Sequence, residues 1–279
     1  MNLISPIVNR WIQDGRDDPE AFWERAAKEL HWFRIWDKVF EWNYPNFRWF
    51  SGAQTNLSYN ALDIHVKQGW GGHTALIYMN ERGERRLVTY AKLLHDVEKI
   101  AAALRGTGIS KGDRVTIYMP TCPEAIMVML AVVRIGAIHS VVFAGFGEKA
   151  LGDRIQASGS RLVFTTDITF RKGKDVNLKS IVDGALDQVE NSVEHVIVLK
   201  RGGEDVPMND PRDITWDEFM QHAVGQSGEC VPMEANEPAF ILATSGTTAK
   251  PKLAIHTHGG YQVHIASMAR WVFGLKPED

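Results

Sequence analysis

The chain has 279 residues, of which 44% are hydrophobic and 23% charged, and its formal charge is -3. That is enough apolar material for a core of ordinary size, in one large domain or one and a half ordinary ones. The near-neutral balance gives no bulk electrostatic reason to expect nucleic acid or another polyanion as partner.

The start, MNLISPIVNRWIQDGRDDPE, lacks the basic opening and apolar run of a secretory signal. Six of the nine tryptophans fall between Trp11 and Trp49. Asp18 followed by Pro19 signals a helix start, and the run after it is amphipathic. WFRIWDKVFEWNYPNFRWFSG is aromatic-rich, with Pro45 and Gly52 suggesting loops. Acidic residues mixed among the rings, without a basic stripe, argue against a base-stacking platform. Large side chains pinning an irregular arm onto a main body fit better.

From Thr74 the pattern becomes regular. TALIYM and RRLVTY around Asn80–Gly83 read as a hairpin. TYAKLLHDVEKIAAALRGTG reads as a long amphipathic helix closing near Gly106 and Gly108. RVTIYM is a strand ending at Pro120. PEAIMVMLAVVRIG is apolar on nearly every face and reads as a buried helix. Residues 126–146 together are apolar enough to raise a membrane span, but they contain Arg134, His139 and Gly136. A spanning helix needs about 20 mostly uncharged apolar residues. A buried helix followed by a strand is expected instead, with no membrane partner and a cytoplasmic location. EKALGDRIQAS reads as helix, RLVFTT as strand, LKSIVDGALDQV as helix and HVIVL as strand. The alternation predicts an α/β fold, a mainly parallel sheet with helices on both faces. Residues 201–237 read as polar surface loops around a short helix near Trp216–His222. A strand, a loop and a helix from near Gly259 follow. Asp279 lies shortly after that helix, and no finished domain is expected at this point.

Cys122 and Cys230 have no CxxC or Cys/His partner spacing, so no metal site is expected, and isolated thiols fit a reducing compartment. Phe170-Arg171-Lys172-Gly173-Lys174 is the densest basic cluster. Placed after RLVFTT, its three cations around a glycine suit either a solvated turn or a phosphate clamp. His256 and His258 have no carboxylate at a useful spacing and are expected to be structural.

The informative segment is Thr244-Ser245-Gly246-Thr247-Thr248-Ala249-Lys250-Pro251-Lys252. Ser245, Thr247 and Thr248 join Thr244 around one glycine, directly after an apolar strand. A glycine lets backbone N–H groups approach a ligand, hydroxyls add donors, and lysines add charge. That combination suits a polyphosphate at a strand end, although a polar connector has similar composition. The common nucleotide loop G-x-x-x-x-G-K-[ST] fails, because Pro251 stands where its second glycine is required. The G-x-G-x-x-G loop of kinases is absent too.

The segment closely resembles the T-S-G-[ST]-T-G-x-P-K-G phosphate loop of the adenylate-forming enzymes, which include acyl-coenzyme A synthetases, luciferases and peptide-synthetase adenylation domains. DPEAFWERAAKEL, NLSYNALD, KGDRVTIYMP, PEAIMVMLAVVRIGAIHSVVFAGF, ALGDRI, VEHVIVL and IHTHGGY extend the likeness over essentially the whole chain. Together with the tryptophan-rich arm they place it nearest the acetyl-coenzyme A synthetases. Ala249 and Leu253 replace glycines of the pattern, and an alanine restricts the loop backbone.

The resemblance implies an AMP-forming acid–thiol ligase that makes an acyl-adenylate from ATP and a short-chain carboxylate, then a coenzyme A thioester. Propionate or another short acid is as open as acetate. The substrates and cofactors implied are ATP, Mg2+, coenzyme A and the carboxylate, with no nucleic acid. Thr244, Ser245, Gly246, Thr247, Thr248 and Lys252 would bind ATP phosphates. Arg171, Lys172, Gly173 and Lys174 match the R-G-G-K stretch that contacts coenzyme A, with Lys172 in place of a glycine. Residues 1–65 would form the acetyl-type arm and 66–279 the first part of the adenylation domain. The family's catalytic residues lie beyond Asp279, so the chain alone is expected to be inactive. A non-catalytic nucleotide-binding or interaction module of the same fold is the alternative.

Overall fold

The computed structural model describes residues 5–202, 205–244 and 252–276. Its centre is a seven-stranded sheet. From one edge the order is Asp213–Thr215, His195–Leu199, Leu162–Thr166, Arg114–Tyr118, Ile138–Val141, Pro238–Thr244 and Lys252–Thr257. Every neighbouring pair is parallel except the last, where Lys252–Thr257 runs back antiparallel. The expected mainly parallel sheet is therefore present, with one reversed edge strand.

Alternating side chains supply a core on each face. Val115, Ile117, Leu162, Phe164 and Ile197 point toward the helices Tyr90–Gly106, Pro123–Arg134 and Trp216–Gln221. Tyr118, Val163, Val196 and Val198 point toward Glu148–Ser158 and Leu178–Asp187. A strand covered on both sides reads as a continuous apolar run because both halves of the alternation are buried. Each fully buried Leu, Ile or Val contributes about 1.5–3 kcal/mol. The helix Tyr90–Gly106 starts where Thr89 accepts the Lys92 N–H. The Glu148–Ser158 helix ends at Gly159 in the left-handed region.

Residues 126–146 resolve into the buried helix and a strand, as their arginine and glycine required. No described helix is long and apolar enough to cross a membrane. Arg134, at the end of that helix, is only 2% exposed. Its guanidinium donates to both carboxylate oxygens of Asp63 at 2.7 and 2.9 Å, to Glu98 at 3.1 Å and to the Gly228 carbonyl at 2.7 Å. It ties together three segments remote in sequence.

The N-terminal arm is more regular than its sequence suggests. Helices Pro6–Asp17 and Pro19–Ala27 are followed by an antiparallel hairpin, Lys38–Asn43 with Asn46–Ser51. Asp18 caps the second helix through the Ala21 N–H, as read from the sequence. Trp23, Trp32, Trp36, Trp49 and Phe50 pack with Val263 and Trp271 of the helix His258–Trp271. The Trp11 and Trp271 rings approach to 5.1 Å. These aromatics pin the arm to the main body, as expected.

Candidate functional site

The strand Pro238–Thr244 lies beside Ile138–Val141 in parallel, so Thr244 ends at the carboxyl edge of the sheet. The chain returns as Lys252–Thr257, with Thr244 opposite Lys252 and Ala243 opposite Leu253. The Thr244 hydroxyl donates to the Lys252 carbonyl at 3.3 Å. These two predicted residues close the base of the hydroxyl-rich segment. Ser245, Gly246, Thr247, Thr248 and Ala249 lie outside the described residues. Leu253 sits within a strand, where its side chain does not disturb a turn. Lys252 is exposed at the strand start. Carboxyl edges of parallel sheets are where α/β proteins place ligands, because loops there leave both helix layers intact.

The flanking histidines pack against the body of the fold. His139, Phe240 and His256 stand side by side on three adjacent strands, the outer rings stacked on Phe240 at 5.3 and 4.6 Å. His258 is fully buried, and its Nδ1 accepts the Leu57 N–H at 3.3 Å. Burial pushes both His139 and His258 down to about 3. Both are neutral in the fold, whereas an unfolded chain protonates them near 6.5. Stability is thus fully present above about pH 6.5 and is lost as pH falls from there toward 3. The expected loss is about 1.4 kcal/mol per pH unit for each ring. Urea titrations at pH 7 and 5.5 check it. Replacing His139 by Gln should flatten the slope, and an unchanged slope would remove the assignment.

The basic cluster takes a form the sequence did not indicate. Ile168–Arg171 and Lys174–Asn177 pair antiparallel, with Arg171 opposite Lys174. Lys172 and Gly173 turn between them with φ of 52° and 74°. Both central residues of such a two-residue hairpin take positive φ, which glycine adopts freely and lysine adopts at a cost of about 1 kcal/mol. Lys172 therefore accepts strain at the position where the resembling pattern has glycine. The hairpin grows from the carboxyl end of Leu162–Thr166, three strand spacings, roughly 14 Å, from Pro238–Thr244. The basic hairpin and Thr244 thus lie at the carboxyl edge of one sheet.

Arg171 borders a cleft of about 310 Å3 whose walls include Tyr78, Phe143, Gly145, Phe170 and Arg201. Lys172, Gly173 and Lys174 form the hairpin tip and do not line it. The Arg171 guanidinium lies 5.9 Å from the Phe143 ring centre. A Cβ on Gly145 would come within 2.3 Å of the Phe143 ring and 2.8 Å of Arg171 Nη1, so only glycine lets the three meet. Arg201 donates from Nη2 to the Tyr78 hydroxyl at 2.8 Å and lies 4.9 Å from the Phe170 ring centre. Phe143, Tyr78 and Arg201 escaped the sequence reading. Arg201 is one polar residue in a polar loop, and no local pattern marks it.

The AMP-binding enzyme family model matches residues 63–279, more than half of the chain. The chain belongs to the AMP-binding enzyme family. A second model, acetyl-coenzyme A synthetase N-terminus, matches residues 9–61, the aromatic arm. The acetyl-coenzyme A synthetase of Chlorobaculum tepidum is 43% identical over 268 residues, covering 95% of this chain and 40% of that protein. That of Deinococcus radiodurans is 44% identical, covering 97% and 41%. The 3-hydroxypropionyl-coenzyme A synthetase of Sulfurisphaera tokodaii is 45% identical, covering 94% and 40%. Among solved structures, acetoacetyl-CoA synthetase from Streptomyces lividans matches with a TM-score of 0.85 at 25% identity, over 95% of this chain and 40% of that one. The chain therefore spans about 40% of the length of these AMP-binding relatives.

Proposed function

We propose that these residues are the part of an AMP-forming short-chain acid–coenzyme A ligase that holds the triphosphate of ATP and the nucleotide end of coenzyme A. The observation that carries this reading is the closure of the 244–252 segment by Thr244 and Lys252 at the carboxyl edge of the sheet. Thr244, Ser245, Gly246, Thr247, Thr248 and Lys252 bind the β- and γ-phosphates, and ATP enters as its Mg2+ complex. Among the described residues there is no cluster of ligands to hold a metal of the protein's own. In the first half-reaction a carboxylate oxygen attacks the α-phosphorus and pyrophosphate leaves. In the second, the coenzyme A thiol attacks the acyl carbon and AMP leaves. The work of this part is positioning and charge stabilisation of leaving phosphates. Arg171, Lys172, Gly173 and Lys174 serve coenzyme A.

The acid is short, with acetate, propionate and 3-hydroxypropionate as the first to test. Residues 1–65 act as the docking arm and 66–279 as the first part of the adenylation domain, in a cytoplasmic enzyme of small-molecule substrates. A non-catalytic module of the same fold gains no support from relatives that are all synthetases by name. Calorimetric titration with MgATP tests the reading: saturable binding is expected, and none at millimolar nucleotide would refute it. Mixed with ATP, acetate and coenzyme A, the 279 residues alone are expected to form no thioester at an enzymatic rate, since their relatives use a chain about 2.5 times longer.

A further inference from the structure

We infer that the aromatic tip of the arm hairpin is the contact through which two copies of this chain form a reversible two-fold dimer. The dimer uses none of the phosphate or coenzyme A residues, so it stands or falls apart from the ligase reading.

The hairpin Lys38–Asn43 with Asn46–Ser51 pairs with no other strand among the described residues. Residues 42–48 are all exposed. Among them Trp42, Tyr44 and Phe47 are 63%, 81% and 59% exposed. Side chains opposite each other in an antiparallel pair share a face, so Phe40 with Trp49 and Trp42 with Phe47 form one aromatic strip. The root of the strip is fastened. Phe40 and Trp49 approach to 4.5 Å between ring centres, and Trp49 belongs to the cluster that pins the arm to the body. The outer end is open. There the Trp42 and Phe47 rings lie within 16° of parallel at 6.3 Å, and the Tyr44 ring is 6.4 Å from that of Trp42. Contiguous exposed rings of this kind are the material of protein contacts.

Shape and charge select the occupant. Phe40, Trp42 and Phe47 line a cleft of about 550 Å3, and Tyr44 stands outside it at the tip. One patch thus carries both a hollow and a free ring, as a self-complementary contact requires. The charged side chains of the cleft are already paired within the chain: Lys38 with Glu41 at 3.1 Å and Arg48 with Glu234 at 3.2 Å, while Glu41 also accepts the Ser51 hydroxyl at 2.7 Å. None of them is left over to select a charged peptide or an anionic headgroup. The tip, Trp42-Asn43-Tyr44-Pro45-Asn46-Phe47, carries no charge. Laid across the cleft of a second copy, it buries no unpaired ion, and the Asn43 and Asn46 amides can each donate and accept there. Three rings about two-thirds exposed offer roughly 400 Å2 per copy. Two copies together cover roughly 800 Å2 of ring surface, and the polar rim brings the total toward the ~1,000 Å2 at which specific interfaces begin. A contact of that size dissociates on the order of 10–100 μM.

Sedimentation velocity of the 279-residue chain between about 1 and 200 μM measures the association. A concentration-dependent monomer–dimer equilibrium is expected. Trp42→Ser and Phe47→Ser should each weaken it at least tenfold, as loss of a central aromatic anchor does. Ile77→Ser, which removes an equally exposed side chain on another hairpin, should leave it within twofold. A chain that stays monomeric over the whole range overturns the inference. A dimer unchanged in Trp42→Ser and Phe47→Ser places the contact on another face and also overturns it, as does equal weakening by Ile77→Ser. A monomer that pellets with phosphatidylcholine vesicles, and ceases to in Trp42→Ser, would assign the tip to a lipid surface instead. Thermal unfolding of each variant establishes that it is folded.

Discussion

Arg134→Ala is expected to destabilise the protein by about 3–5 kcal/mol, the cost of removing one member of a buried ion pair. The arginine is 2% exposed and makes four hydrogen bonds, two of them to Asp63. Its loss leaves the Asp63 carboxylate buried without a counter-charge and the Gly228 carbonyl without a donor. Domains of this kind are stable by about 5–15 kcal/mol, so the variant should sit close to unfolding at room temperature. Urea denaturation measures the loss. The companion variant Arg134→Met with Asp63→Leu removes both charges and should recover most of it, because well-packed apolar replacements of buried pairs are close to neutral. A single variant within about 0.5 kcal/mol of wild type, the range of ordinary surface changes, would show that the network does not hold the three segments together.

Lys252→Ala and Thr247→Ala are each expected to weaken MgATP binding by about 10- to 100-fold. A hydrogen bond to a charged group contributes about 1.5–3 kcal/mol, and every 1.4 kcal/mol is tenfold in affinity. Lys252 is exposed and holds its place through the backbone pairing with Thr244. Its alanine variant should therefore fold with little change in stability, and the loss of binding can be read as lost contact with phosphate. Lys252→Arg keeps the charge and should retain part of the affinity. Calorimetry on the three variants and wild type separates these outcomes. Unchanged affinity in both alanine variants would take the phosphates away from this segment.

Much of the fold was legible because each core strand carries its own periodicity. Runs such as RVTIYM, RLVFTT and HVIVL are apolar on both sides of the alternation, and their alternation with helical segments fits a doubly covered parallel sheet. Their boundaries in the structure, Arg114–Tyr118, Leu162–Thr166 and His195–Leu199, lie within a residue or two of the sequence reading. What stayed hidden depends on long-range pairing. A strand resuming near Leu253 is legible, but its antiparallel direction comes from the edge that Pro238–Thr244 offers Lys252–Thr257. The arm hairpin is likewise hidden, since Phe40 meets Trp49 only after the chain has folded back. The hairpin at Lys172-Gly173 was obscured by its lysine, which carries the positive φ that a reader looks for in glycine.

The candidate site divides the same way. The hydroxyl-rich segment and the basic cluster are contiguous in sequence, so composition and spacing expose them. The cleft beside Arg171 is assembled from five separate stretches, near 78, 120, 143, 170 and 201. Only the stretch near 170, part of the basic cluster, has a local pattern that marks it.

Hydrogen–deuterium exchange with and without MgATP addresses the 244–252 segment itself. Nucleotide phosphates cradled by its backbone should slow exchange of the amides from Ser245 to Lys252 more than any others in the chain, and Lys252→Ala should cancel the slowing at the same nucleotide concentration. Saturating MgATP that leaves those amides exchanging at their free rate, or that protects a different part of the sheet edge instead, would contradict the phosphate-binding role.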